Sequence, residues 1–91
     1  MKRNQWAYKN LVLGAEFDKY MVEHPKIVEK IPDKSTLVLL PEYDRELYAA
    51  NLKLAKRRVK KGEQIIFVRI KNLAPPRSRI IGAKIQCVTS S

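Results

Sequence analysis

The run Lys56-Arg57-Arg58-Val59-Lys60-Lys61 places five cations in six positions, and with Lys53 it gives residues 53–62 six cations and no acid. The chemistry such a run supplies is anion binding. Lysine offers a compact point charge and arginine a planar fork that matches phosphate or carboxylate. The same residues also suit a helix end, where each cation favours the dipole by about 0.3–1 kcal/mol. That effect accounts for some of the cations without requiring five.

Lys71, Arg77 and Arg79 form a second cationic group in "KNLAPPRSR" (71–79). This segment and "PEYD" (41–44) each follow a strand-like run. In open α/β sheets ligands prefer the carboxyl ends of parallel strands. Asp44 also opens a helix, whose free N–H groups can face an anion held by Arg77 or Arg79. Surface pairing of those arginines with Glu42 or Asp44 is the simpler reading of the same residues.

Other chemistry is poorly supplied. His24 is the only histidine and Cys87 the only cysteine, and they belong to different elements. A zinc site needs four ligands, or three when catalytic. Glu42 and Asp44 are close, but no base or metal accompanies them. The residues therefore assign no catalytic group, no metal ligand and no cofactor, and an enzyme ranks third among the readings. No Gly-rich phosphate loop and no familiar nucleic-acid-binding motif is present. Tyr8, Phe17, Tyr20, Tyr48 and Phe67 sit at periodic positions that read as core, leaving Trp6 and Tyr43 freer to stack. Binding to nucleic acid would then run through phosphates, with strong salt dependence and little sequence preference.

These groups need elements to carry them. Residues 5–23 read as a helix with two apolar faces. Tyr8, Leu11, Val12, Ala15 and Val22 fall together at 100° per residue; Trp6, Leu13, Phe17, Tyr20 and Met21 gather opposite. His24-Pro25 interrupts it, and Pro25 suits the first turn of a short second helix, "PKIVEKI". "STLVLL" (35–40) reads as a strand buried on both sides. Asp44 is the N-cap of a helix over 44–61, and Gly62 its C-cap. Tyr48, Leu52, Ala55 and Val59 make its apolar stripe, so the cations wrap the opposite surface. "QIIFVRI" (64–70) is a strand rich in β-branched residues. Pro75-Pro76 marks 71–79 as a loop. "IIGAKIQCV" (80–88) reads as a third strand, with Ile81, Ala83, Ile85 and Cys87 on one face.

The order predicts an α/β fold: a small two-layer sandwich, α-(short α)-β-α-β-β. Its mixed three-stranded sheet surrounds a right-handed βαβ unit, and the last strand returns antiparallel. The 91 residues make one domain, 1–91, with 89–91 as a disordered tail. One cysteine permits no intrachain disulfide framework, and a reducing cytoplasm is the simplest home. No apolar run exceeds four residues, against about 20 for a membrane span, so no membrane role is expected. The basic start is followed by Glu16, Asp18 and Lys19, unlike a signal peptide.

The patterns "EHPKIVEKIP", "LVLLPEYDRELYAANLKLAKR" and "GEQIIFVRIKNLAPPRSR" resemble a family of short uncharacterised proteins from thermophilic archaea and bacteria. The resemblance implies an α/β domain in the cytoplasm and transfers no activity.

The net charge of +10 favours an anionic partner. Two functions follow. The first is a non-catalytic basic module that binds nucleic acid or an acidic protein through Lys53, Lys56, Arg57, Arg58, Lys60 and Lys61 with Lys71, Arg77 and Arg79. The alternative is a self-associating subunit, a homodimer joined through Trp6, Leu13, Phe17, Tyr20 and Met21. A small sheet covers only one side of the first helix, expected to be the side with Leu11, Val12, Ala15 and Val22.

Overall fold

The first helix, α1 (Arg3–Glu23), begins where the Gln5 side chain accepts from the Lys2 backbone N–H at 3.1 Å. It stops at His24, because Pro25 disfavours helical backbone at the residue before it. Pro25 then opens the one-turn helix α2 (Pro25–Val28), where its missing N–H costs nothing. Strand β1 (Thr36–Pro41) follows, then α3 (Arg45–Lys60) and β2 (Ile65–Ile70). A computed structural model of the chain describes residues 1–88; the tail expected at 89–91 lies outside the described residues.

Helix α3 starts and ends by local chemistry. The Asp44 carboxylate accepts from the Leu47 N–H at 3.1 Å, and Glu46 adds negative charge in the first turn. At the other end Gly62 takes φ +87°, a region where glycine carries no Cβ penalty. Its N–H reaches the Val59 carbonyl and the Glu63 N–H reaches that of Arg58, at 2.9 and 3.2 Å. These two bonds are the Schellman arrangement, and they satisfy carbonyls the helix leaves free.

β1 and β2 pair in parallel, from Thr36 with Ile65 to Pro41 with Ile70. Paired residues share a face, so Val38 and Leu40 lie with Ile65 and Phe67. That face meets α3: Val38, Leu40 and Ala55 are buried together, with Tyr48, Leu52 and Ile65 packed around them. The opposite face, which carries Ile66, Val68 and Ile70, looks into a groove shared with α1 and α2. α1 and α2 form the other wall of that groove.

Two expectations change. Among the described residues the sheet has two strands, not three. Residues 80–88 form no ladder, and Ile81 and Ile85 are 99% and 102% exposed. An alternating apolar pattern makes a strand only against a partner edge, and the segment beyond Lys71 carries this one away from β2. The radius of gyration, 18.8 Å, exceeds the roughly 12 Å of a compact chain this long, and the long axis reaches 71 Å.

The faces of α1 are also reversed. Leu13 and Phe17 are buried against the rest of the chain, and Trp6 and Met21 are half-buried. Tyr8, Leu11, Val12 and Val22 are exposed, Leu11 at 72% and Val22 at 82%. Both faces carry comparable apolar surface, so helical periodicity alone could not choose between them. The buried face also carries Asn10 and Trp6, through which α1 is tied to α3.

Candidate functional site

Asn51 is 4% exposed and sits in the buried stripe of α3 between Leu47 and Ala55. Its Oδ1 accepts from Trp6 Nε1 at 3.0 Å and from Asn10 Nδ2 at 3.1 Å. Its Nδ2 donates to Asn10 Oδ1 and to the Leu39 carbonyl, both at 2.9 Å. An amide has two donors and two acceptor lone pairs, and all four are used. The contacts join α1, α3 and the outer edge of β1. Sequence reading missed Asn51. The available signal was its i+4 spacing from Leu47 and to Ala55.

Lys53, Lys56, Arg57, Arg58, Lys60 and Lys61 are all exposed. Arg58 Nη1 pairs with Glu63 Oε1 at 3.2 Å, which clips the Gly62 turn to the helix. The other five make no ion pair among the described residues. Three further acids are engaged elsewhere. Lys9 holds Asp44 at 2.8 Å, the N-terminal amine lies 3.4 Å from Glu46, and Lys19 holds Glu16 at 3.2 Å. Asp44 and Glu46 stand at the start of α3, about 24 Å from its end for 16 residues at 1.5 Å each. The helix thus presents five cations without an ion pair among the described residues.

At the start of α3 the Asp44 carboxylate itself accepts from a first-turn N–H, that of Leu47. Its acidity is increased mainly by the Lys9 hydrogen bond, then by the Leu47 N–H, so its pKa lies below the ordinary aspartate value. Asp44 in turn raises the Lys9 pKa. Burial, with Asp44 beside it, pushes the Tyr43 phenol up. Arg77 and Arg79 are exposed and pair with neither Glu42 nor Asp44 among the described residues.

The two cationic segments are not brought together. The Glu42 N–H donates to the Ile70 carbonyl at 2.8 Å, so the end of β2 lies beside the start of α3. Lys71 and the loop after it therefore leave the sheet at the end opposite the basic helix terminus. The aromatic assignments also shift. Phe17 is buried, while Tyr8, Tyr20 and Phe67 are exposed, and Trp6 is held by Asn51. Tyr20 stacks on His24, ring centroids 4.1 Å apart.

Among the described residues, no three His, Cys, Asp or Glu side chains gather as metal ligands. None of the helices there is long and apolar enough to cross a membrane.

Fold and site together define a small α/β protein built on a parallel β-α-β unit, with an exposed cationic helix end. The chain belongs to DUF5647, a family of unknown function, whose model matches residues 5–83. No curated protein and no solved structure matches it.

Proposed function

We propose that this protein is a non-catalytic basic module that binds nucleic acid through the C-terminal end of α3. The observation that supports this is the set of five exposed cations, Lys53, Lys56, Arg57, Lys60 and Lys61, that make no ion pair among the described residues. Arg58 is partly committed to Glu63 and contributes less. Lys71, Arg77 and Arg79 lie on a separate segment and add to the general field rather than to the same patch. Contacts to phosphate govern such binding, and each releases condensed counterions. The test is oligonucleotide retention over a salt series. Binding that falls linearly in log–log form supports the reading. Indifference to nucleic acid at low salt, with capture by an acidic polypeptide, would reassign the patch to a protein partner.

A second reading is self-association. Its support is the exposed face of α1 with Tyr8, Leu11, Val12 and Val22. Apolar patches of this kind mark contact surfaces more often than solvent faces. The original interface candidates divide: Leu13 and Phe17 are taken up within the chain, while Tyr20 stays exposed.

A further inference from the structure

The pairing register leaves β2 with an open edge. In a parallel pair alternate residues direct their backbone groups to the partner. The Thr36 N–H donates to Gln64 and the Glu42 N–H to Ile70, at 2.8 Å each, so the even-numbered residues of β2 face β1. Ile65, Phe67 and Arg69 therefore turn their N–H and C=O groups outward. The outer edge of β1 differs, because Asn51 caps its Leu39 carbonyl. Beside the β2 edge lies an open groove of about 720 Å³. Phe17, Tyr20 and Ile27 line its helical wall, and Ile66 and Val68 its sheet wall.

We propose that the segment Ile80–Val88 of a second copy docks in this groove as a third strand on β2, and that the exchange is reciprocal. The proposal rests on the self-association reading but uses a different surface from the outer face of α1. Three observations choose the occupant. The segment alternates Ile81, Ala83, Ile85 and Cys87 with Gly82, Lys84 and Gln86, the period a strand on a half-apolar wall requires. It is exposed along its length, so its apolar side chains gain from any such wall. The linker Lys71–Arg79 carries Pro75-Pro76, whose fixed backbone favours an extended path of about 3.1 Å per residue, roughly 28 Å in all. Return onto its own β2 needs a reversal inside that stiff linker; reaching a second molecule does not. Strand addition of this kind uses backbone bonds for affinity and side-chain pockets for register. A two-fold exchange closes both open edges.

Cys87 makes the test direct, because it is the only cysteine. Full-length chains carrying Glu16→Cys or Glu23→Cys place a second thiol on the groove's helical wall, with the parent chain as control. After treatment with a short thiol cross-linker, a denaturing gel should show a covalent dimer for at least one variant and not for the parent. An internally linked monomer would overturn exchange in favour of a strand folded back in the same chain. No linkage in either variant would overturn docking altogether. Sedimentation of Ile81→Asp with Ile85→Asp adds a second readout, expected to be a folded monomer. A dimer that survives those changes but dissolves with Leu11→Asp would sink the exchange and leave self-association standing. A parent chain that is monomeric at high micromolar concentration would sink both.

Discussion

Asn10 and Asn51 exchange two side-chain hydrogen bonds, at 2.9 and 3.1 Å, across the contact between the first and third helices. This amide pair lies on the buried face of α1, with Leu13 and Phe17. Asn51→Ala would strand the Trp6 indole N–H, the Leu39 carbonyl and the Asn10 amide. Leaving a buried polar group unpaired costs about 1–3 kcal/mol, and some of these groups can turn to water. We expect a loss of about 2–4 kcal/mol in urea unfolding. Asn51→Asp should also destabilise at neutral pH, since a carboxylate cannot donate to Leu39 or to Asn10. A loss below about 0.5 kcal/mol for both variants would show that the network is incidental.

Gly62 should be sensitive for its backbone alone. A Cβ built there meets nothing within 4 Å, so sterics with neighbours are not at issue. Its φ of +87° is the cost, and Gly62→Ala should lower stability by about 1 kcal/mol. Gly14, in regular helix and with open space around it, should behave oppositely: Gly14→Ala is expected to stabilise by up to about 1 kcal/mol. Equal effects at the two sites would contradict this account.

Asp44 links stability to pH. Its folded pKa lies below the unfolded value, with Lys9 as the main cause. Its contribution is therefore present above about pH 3.9, the usual aspartate value, and is lost as pH falls through the depressed folded pKa. Asp44→Asn keeps the cap but removes the charge, so its urea midpoint should depend less on pH in the acid range. Asp44→Ala should cost about 1 kcal/mol at neutral pH. An acid limb unchanged in Asp44→Asn would place the dependence elsewhere.

The basic helix end predicts a salt slope. Replacing Lys56, Arg57, Lys60 and Lys61 by Gln removes up to four phosphate contacts. The log–log slope should become shallower by up to about 3–4, at roughly 0.7–0.9 per contact, while circular dichroism stays that of the parent. Replacing Arg77 and Arg79 should change the slope less, because they stand on the separate segment. Equal effects from the two sets would argue for diffuse charge in place of a patch.

Local signals carried much of this structure. His24-Pro25 stops one helix and starts the next, Asp44 begins α3 and Gly62 ends it, all through interactions within a few residues. The exposure of the six helix-end cations was legible too, since an apolar stripe on one side of α3 leaves them the other. What tertiary structure alone decided is non-local. The buried face of the double-faced α1 goes with contacts far along the chain, among them that of Asn10 with Asn51, 41 positions on. The ends of β1 and β2, from which the 41–44 and 71–79 segments lead, do lie together, as parallel pairing requires, but that end is opposite the basic terminus of α3. Alternation over 80–88 shows only that the segment is able to pair. Which edge receives it depends on where the diproline linker delivers it, and period-two hydrophobicity contains no information about that.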